Sequence, residues 1–189
     1  MEPILYFLRS SEQFIVDDIL YYAARLDDEN KTLENYPTLS VYRDHYGKRA
    51  GDIGVYAMIG SEVAGAAWVR IMNNPKGYGF INNETPELVL GIKPKYRNQG
   101  LGTQLMEHIF REVPHFYDQM SLSVRNDNPA VHLYKRLGFE KVVGSDVISN
   151  DRTVFTMKKV FNEEEKSRNH IDYAAEDQAY ELKYPTKGP

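Results

Sequence analysis

The stretch YRNQGLGTQL, residues 96–105, contains two glycines two positions apart, with an arginine before them and apolar residues after them. It joins an apolar run at 87–92, typical of a buried strand, to a helical stripe that begins near residue 99. The first N–H groups of a helix have no internal partner and carry partial positive charge. Gly100 and Gly102 have no Cβ, so an anion can approach those groups closely, and Arg97 adds a cation. The stretch therefore forms either an ordinary tight turn or a cradle for pyrophosphate.

Two common phosphate-binding motifs do not fit this stretch. The G-x-x-x-x-G-K-[ST] spacing of a P-loop is absent, and no third glycine follows at the offset of the dinucleotide-binding fingerprint. Taken alone, so loose a pattern favours an ordinary turn over a phosphate site. The surrounding sequence must decide between the two interpretations.

Hydrophobic periodicity predicts a mixed α/β sheet around this stretch. Pro94 ends the strand at 87–92, and Pro114 stops the helix that follows it. A strand at 119–124 comes next, and a parallel pair in this unit would require a right-handed crossover. The other predicted elements are a strand at 4–9, helices at 10–26 and 38–47, a hairpin about Gly60-Ser61, a short strand at 78–81, a helix at 128–138 and two closing strands about Asn150-Asp151.

The composition limits the function classes. The net charge of −4 over 189 residues argues against a broad nucleic-acid surface. The absence of cysteine excludes disulfides, thiolate metal sites and a cysteine nucleophile, and the five histidines form no metal-ligand pattern, so we expect no metal. No apolar run reaches the roughly 18 residues of a membrane span, and the N-terminus lacks signal-peptide features. We therefore expect a soluble, cytoplasmic protein that binds neither nucleic acid nor membrane.

Two segments of the chain resemble the GCN5-related N-acetyltransferase (GNAT) superfamily. Residues 86–106, PELVLGIKPKYRNQGLGTQLM, are similar to its central strand, its R/Q-x-x-G-x-G/A loop and the following helix. Residues 124–139, VRNDNPAVHLYKRLGF, are similar to a later segment, in which an asparagine precedes a helix that closes on Gly-Phe. Both segments occur in the family's order. The matching residues of the second segment are Asn128, Ala130, Tyr134, Gly138 and Phe139.

The resemblance covers about residues 4–160 and implies a GNAT-like acyl-CoA N-acyltransferase fold, with a mixed, mostly antiparallel central sheet flanked by helices. We expect a GNAT-like acetyltransferase domain at 1–160 and a polar C-terminal extension at 161–189, in which acidic residues exceed basic ones. The extension also contains aliphatic and aromatic residues, which would let it dock on the domain or on a second copy in a homodimer.

The resemblance also implies a binding site for acetyl-CoA. Residues 97–103 would wrap the pyrophosphate of coenzyme A, and the backbone of residues 90–92 would pair with its pantetheine arm. Asn128 would contact the pantetheine, although it lies closer to the following alanine than in the common family spacing, which leaves Asn126 as a substitute. Tyr134 would face the thioester sulfur. The implied cofactor-binding residues are Leu90, Gly91, Ile92, Arg97, Asn98, Gln99, Gly100, Leu101, Gly102, Thr103, Asn128 and Tyr134.

Acetyl transfer to an amine requires a neutral amine, a stabilised oxyanion and protonation of the thiolate leaving group. Because the chain has no cysteine, direct attack in a ternary complex is the simpler route. Tyr134 is the candidate general acid, and Glu87 is the candidate base, directly or through water. Glu84 is an alternative base, and the N–H of Ile92 is a candidate oxyanion donor.

Three functions fit these residues. The first is an acetyl-CoA-dependent N-acetyltransferase acting on a small-molecule or peptide amine. The second is a non-catalytic acyl-CoA-binding module, and the third is a protein N-terminal or lysine acetyltransferase. The presence of both Tyr134 and Glu87 favours an enzyme. For the acceptor pocket, His45 is a candidate that more commonly lies at the surface, and core packing is favoured for Trp68 and Tyr78.

Overall fold

The computed structural model describes residues 2–72, 74–149 and 152–169, which form an eight-stranded sheet with helices on both faces. The strands are β1 (Ile4–Phe7), β2 (Ile53–Ile59), β3 (Glu62–Arg70), β4 (Glu87–Ile92), β5 (Gln119–Arg125), β6 (Glu140–Lys141), β7 (Val147–Ser149) and β8 (Arg152–Val160). The helices are α1 (Gln13–Ala23), α2 (Leu101–Glu112), α3 (Ala130–Arg136) and α4 (Glu163–Lys166). Short 3-10 helices lie at Ser10–Glu12, Leu33–Asn35, Pro37–Tyr42, Pro94–Tyr96 and Val113–His115.

Neighbouring strands follow the order β1-β2-β3-β4-β5-β8-β6, and β7 also pairs with β8. These pairs are antiparallel except for β4 and β5, which run parallel with α2 in the connection between them. The prediction of a mixed, mostly antiparallel sheet flanked by helices is therefore confirmed. The parallel pair lies at the centre of the sheet, so its two strands end at the same edge.

Two hydrophobic cores hold the helices against opposite faces of the sheet. α2 buries an apolar stripe at helical spacing, which includes Leu101, Leu105 and Ile109, against β2 and β3. α1 buries four apolar residues against the other face of the sheet. The strand side chains that pack against them come from alternate positions, because successive side chains of a strand point to opposite faces. α1 lies so close to β4 that a Cβ on Gly91 would be 2.6 Å from the carbonyl oxygen of Ile19. Only glycine fits at this crossing.

The second predicted helix is instead a 3-10 helix over Pro37–Tyr42, followed by turns. Buried side chains of β3 take the carbonyl groups that an α-helix would use in its own ladder. The indole N–H of Trp68 donates to the carbonyl of Tyr42 at 2.9 Å, and the guanidinium of Arg70 donates to that of Val41 at 3.0 Å. These tertiary contacts override the local helical preference.

Two other predictions concern loops. No strand forms at 78–81, because this segment is a loop that folds against Glu87. The predicted turn at Asn150-Asp151 lies outside the described residues, although β7 and β8 on either side of it do pair.

Among the described residues, no helix has both the length and the apolar character needed to cross a membrane.

The first residues after β8 pack on the same core. Phe161 is buried, and its ring centre lies 6.2 Å from that of Phe110 on α2. Glu165 on α4 pairs with Lys159 at 2.9 Å, and both side chains are nearly buried. Residues 170–189 lie outside the described part of the chain. The division into a domain and a polar extension therefore stays a prediction.

Truncation after residue 169 is expected to leave a cooperative thermal transition with a nearly unchanged midpoint, because all the packing described above is retained. Truncation after Phe161 removes α4, with its contacts to α2 and to Val113–His115, and the carboxylate that pairs with Lys159. We expect this second truncation to cost about 1–3 kcal/mol of unfolding free energy. Thermal melts of both variants test the prediction, and loss of cooperativity in the longer variant would contradict it.

Candidate active site

β4 and β5 separate soon after they begin. Their parallel pairing is limited to the register position Glu87↔Ser121, whereas β5 pairs with β8 over seven positions. Between the separated strands lies a groove of about 720 Å³, with residues 88–90 on one side and 122–125 on the other. A groove of this size is within the usual range for a small-molecule or cofactor site.

The backbone of β4 offers hydrogen-bonding groups to this groove. The N–H of Lys93, just after β4, donates to the carbonyl of Ala64 on β3 at 3.0 Å. Because N–H and C=O groups of successive strand residues face alternate edges, those of Leu90 and Ile92 face the β5 side, where the strands have separated. Gly91 faces β3 with its backbone, so this residue, predicted to bind the cofactor, does not line the groove.

The predicted phosphate cradle forms the N-terminus of α2. Gly100 precedes the helix with φ of +82°, and Asn98 has φ of +60°; both lie in the left-handed region that glycine adopts without strain. The N–H groups of Thr103 and Gln104 donate to the carbonyl of Gly100. Within the described residues, the N–H groups of residues 98–102 donate to no protein acceptor. These N–H groups are therefore free to bind an anion, and four of the five residues line the groove.

Gly102 lies where the cradle meets the groove. A Cβ at this position would lie 3.1 Å from Leu133 on α3 and 3.3 Å from Ile92 on β4. Both of these side chains line the groove, so a larger side chain at 102 would project into it. Gln99 differs from its neighbours, because its side chain donates to the carbonyl of Lys95 at 2.9 Å and does not line the groove.

Arg97 lies at the rim of the groove, but its guanidinium is paired with acidic residues. One nitrogen lies 2.8 Å from a carboxylate oxygen of Asp27, and another lies 3.5 Å from Asp28. Its Nε donates to the carbonyl of Ile92 at 3.0 Å. Arg97 therefore fastens the loop after α1 to the end of β4, and part of its charge is already neutralised.

Asn128, just before α3, and Tyr134 on α3 line the groove. The side-chain oxygen of Asn128 accepts the N–H of Ala130 at 2.9 Å, which fixes the start of the helix, whereas Asn126 is exposed and does not line the groove. Tyr134 is 7% exposed, and its ring packs edge-on against Phe139. Burial raises the pKa of Tyr134 well above its usual value. Its hydroxyl therefore stays protonated and serves as a hydrogen-bond donor.

Glu87 lies behind the groove wall, only 2% exposed. Its Oε1 accepts hydrogen bonds from the hydroxyl of Tyr42 at 2.7 Å, the N–H of Gly79 at 2.8 Å and the hydroxyl of Ser123 at 3.3 Å. Its Oε2 has no hydrogen-bond partner among the described residues. Burial raises the pKa of Glu87 to about 7, and the three hydrogen bonds only partly oppose this effect. Glu87 thus changes protonation near neutral pH.

Glycines allow the loop at 77–79 to cover this carboxylate. A Cβ on Gly77 would lie 2.1 Å from one oxygen of Glu87, and a Cβ on Gly79 would lie 2.8 Å from the other. The alternative base, Glu84, is exposed on the preceding turn and does not line the groove. Of the two acidic candidates, only Glu87 is part of a buried network beside the groove.

Tyr42 and Tyr78 form the part of the groove nearest to Glu87. Their rings stack with centres 6.4 Å apart, and the hydroxyl of Tyr78 bonds with that of Thr38. Tyr78, expected to pack in the core, is instead 51% exposed at the rim. Trp68 is fully buried as expected, and His45 is exposed and outside the groove. Tyr42 was not predicted as a site residue, because nothing in the local pattern around Tyr42 links it to a glutamate 45 positions later.

Glu87→Gln is expected to stabilise the protein at alkaline pH. The pKa of the carboxyl is raised from its usual value of 4.5 to about 7 in the folded state, so folding favours the protonated form. The free energy of unfolding therefore falls as the pH rises from about 4.5 to 7, and glutamine avoids this loss, which is about 2–3 kcal/mol. Urea unfolding at pH 5 and pH 8 measures it, with Glu84→Gln as the exposed control. Parallel pH dependence in wild type and Glu87→Gln would contradict the prediction.

A model of the Acetyltransferase (GNAT) family matches residues 19–139, well over half of the chain. The chain therefore belongs to the GNAT acetyltransferase family, and the resemblance noted in its sequence is confirmed.

Relatives and solved structures agree with this assignment. The chain is 34% identical over 96 residues to the Drosophila melanogaster protein named Probable N-acetyltransferase san, covering 49% of this chain and 50% of that protein. It is 32% identical over 120 residues to the N-alpha-acetyltransferase of Sulfurisphaera tokodaii, covering 58% and 68%. The aligned region thus spans only half the length of the fly relative.

A solved structure shares the fold. The PaiA N-acetyltransferase from Thermoplasma acidophilum in complex with coenzyme A matches with a TM-score of 0.60 at 14% identity, covering 85% of this chain and 100% of that one. Identity this low shows a common fold and nothing more specific.

Proposed function

We propose that the chain is an acetyl-CoA-dependent N-acetyltransferase, in which a primary amine attacks the acetyl group directly in a ternary complex. The observation that carries this proposal is the continuity of the groove. It runs from the free N–H groups at the start of α2, past the unpaired edge of β4, to the tyrosines that cover Glu87. One molecule with a phosphate end and an acyl end fits this path.

Acetyl-CoA supplies the acetyl thioester as co-substrate, and the residues of the chain hold it. The N–H groups of residues 98–102 bind the pyrophosphate, and the free edge of β4 at Leu90 pairs with the pantetheine amides. The N–H of Ile92 stabilises the oxyanion as it develops. Tyr134 donates a hydrogen bond to the thiolate. Since its pKa lies above that of an ordinary thiol, it stabilises the leaving group without transferring a proton completely.

The acceptor end favours an amine on an apolar carrier. The lining of the whole groove includes several tyrosines, leucines and arginines and one carboxylate, Glu29. Glu29 is already paired with Lys31 at 2.8 Å, Arg125 at 2.5 Å and Arg152 at 3.0 Å. Because this carboxylate is saturated, it offers little to a second cation, so a polyamine is a poor candidate acceptor.

A protein N-terminus is the more specific candidate acceptor. Support comes from the N-alpha-acetyltransferase relative at 32% identity and from the position of Tyr78, which leaves this end of the groove open to solvent. The non-catalytic alternative is less favoured, because a binding module has no use for a buried carboxylate whose pKa lies near 7.

A competition among three amines tests the acceptor class. The purified chain and acetyl-CoA are supplied with a peptide that has a free α-amine and an apolar first residue, a peptide with a blocked N-terminus and one lysine, and spermidine. We expect the first peptide to be acetylated at least about tenfold faster than the others, which corresponds to about 1.4 kcal/mol. Preferential acetylation of spermidine would contradict the apolar acceptor, and preference for the lysine peptide would contradict the N-terminal one.

A further inference from the structure

Glu87 does not reach the place where an acceptor amine would bind. Its side chain is buried behind the groove wall, and its Oε1 already accepts bonds from Tyr42, Gly79 and Ser123. Of these three groups, the Tyr42 and Ser123 side chains line the groove. A proton that leaves an amine in the groove must therefore pass through one of these hydroxyls, or a water that replaces them, to reach the carboxylate.

The hydroxyl of Tyr42 is oriented for this transfer. It donates to Oε1 of Glu87 at 2.7 Å, so its proton is directed at the carboxylate. Its oxygen accepts the backbone N–H of Tyr78 at 2.6 Å, and the Ser123 hydroxyl also interacts with it. Because the Tyr42 side chain lines the groove, a donor in the groove can replace one of these partners at the oxygen. The stacked ring of Tyr78 and the bond from Trp68 to the Tyr42 carbonyl hold the residue in place.

We propose that the Tyr42 hydroxyl contacts the acceptor amine and relays its proton to Glu87, an inference that rests on the proposed N-acetyltransferase function. As the amine nitrogen bonds to the acyl carbon, it loses one proton to the Tyr42 oxygen, and the Tyr42 hydroxyl proton moves to Glu87. The carbon–sulfur bond breaks with its electron pair on sulfur. The sulfur, hydrogen-bonded to Tyr134, takes a proton from solvent, and Glu87 later returns its proton to solvent.

The surroundings of Glu87 agree with a role as proton acceptor. Arg70 lies opposite Glu87 in the register of β3 and β4, but its guanidinium forms an ion pair with Asp52 at 3.0 Å. The group of β5 that faces Glu87 is the neutral hydroxyl of Ser123. The loop at 77–79 presents the backbone N–H of Gly79 to the same carboxylate. The carboxylate therefore has no paired cation among these neighbours, which keeps it basic enough to take a proton near neutral pH.

The competing route runs through Ser123. Its hydroxyl lies 3.3 Å from Oε1, a longer and weaker bond than the 2.7 Å bond of Tyr42. The Ser123 hydroxyl also donates to the same oxygen as Tyr42, so both routes would deliver the proton to one atom. The geometry favours Tyr42, and substitution of each hydroxyl separates the two routes.

Tyr42→Phe keeps the stacked ring and removes the hydroxyl. We expect kcat to fall about 10²-fold or more, with little change in the KM for acetyl-CoA. The rise of kcat with pH near 7 should disappear, because Glu87 no longer receives the proton. Tyr46→Phe is the matched control, since the hydroxyl of this buried tyrosine donates to the carbonyl of Leu8 and the residue lies outside the groove. It should keep wild-type kcat and pH profile.

If Tyr42→Phe does not fold, replacement of Tyr42 by 3-fluorotyrosine provides a second test of the relay. It retains the ring, the hydroxyl and the bond to Tyr78, but its hydroxyl is more acidic. A relay predicts a changed kcat and a shifted pH profile, and a purely structural hydroxyl predicts neither. Wild-type kcat in both Tyr42 variants, or a large loss confined to Ser123→Ala, would overturn the relay. Absence of acetylation by the wild-type protein would instead refute the proposed function.

Discussion

Gly102→Glu is expected to abolish binding of coenzyme A while the protein stays folded. A side chain at position 102 projects between Leu133 and Ile92 into the groove, where it excludes the ligand. Its carboxylate would also lie among the free N–H groups that otherwise bind pyrophosphate. Two like charges about 4 Å apart repel by about 4 kcal/mol near a protein surface, equivalent to about 10³-fold in affinity.

The fold should tolerate this substitution for two reasons. The atoms nearest to the new Cβ are the ends of flexible side chains, and Gly102 does not have a positive φ. A carboxylate in the first turn of α2 also interacts favourably with the helix dipole. Isothermal titration with coenzyme A measures the loss, and Asn83→Glu, which adds the same charge to an exposed loop, is the control. Unchanged affinity in a folded Gly102→Glu variant would refute the cradle.

Tyr134→Phe is expected to lower turnover by about 10²-fold or more, within the usual range for a group that stabilises a developing charge or transfers a proton. The substitution removes the hydroxyl but retains the ring that packs on Phe139. The effect should appear in kcat, with a much smaller change in the KM for acetyl-CoA, because the hydrogen bond strengthens as the thiolate forms. Since burial raises the pKa of Tyr134, its loss should not remove any pH dependence below pH 9.

Steady-state kinetics with an identified amine and saturating acetyl-CoA test this prediction. Tyr117→Phe is the matched control, because the Tyr117 hydroxyl donates to the carbonyl of Gly51 and does not line the groove. The control should retain wild-type turnover. Near-wild-type turnover in Tyr134→Phe would remove this tyrosine from the mechanism and leave the coenzyme A site unaffected.

Sequence alone predicted the parts of the site whose structure depends on residues close together in the chain. The cradle at 97–103 depends on glycine spacing at the start of one helix, and the apolar run at 87–92 defines the strand before it. Both are contiguous, so local pattern is sufficient to place the strand and the start of the helix, whereas phosphate binding at 97–103 was implied by the family resemblance and stays a prediction. The structure also confirms the predicted sheet. The sheet could be predicted because its strands show clear apolar patterns in the sequence.

The environment of Glu87 could not be predicted, because three separated segments create it. Tyr42, Gly79 and Ser123 come from a 3-10 helix, a loop and a strand, and only the folded chain brings them to one carboxylate. The pKa of Glu87 follows from this burial and has no local signal. Arg97 is a similar case, since its pairing with Asp27 depends on the path of the loop after α1.

Release of free thiol from acetyl-CoA, measured with and without an amine, tests the central claim most directly. The account predicts that the wild-type protein releases thiol only when an amine is present, that the rate saturates with amine, and that one acetylated amine forms for each thiol. Gly102→Glu should give the background rate under the same conditions. A wild-type protein that binds coenzyme A but releases no thiol with any amine tested would contradict the account and identify the chain as a binding module.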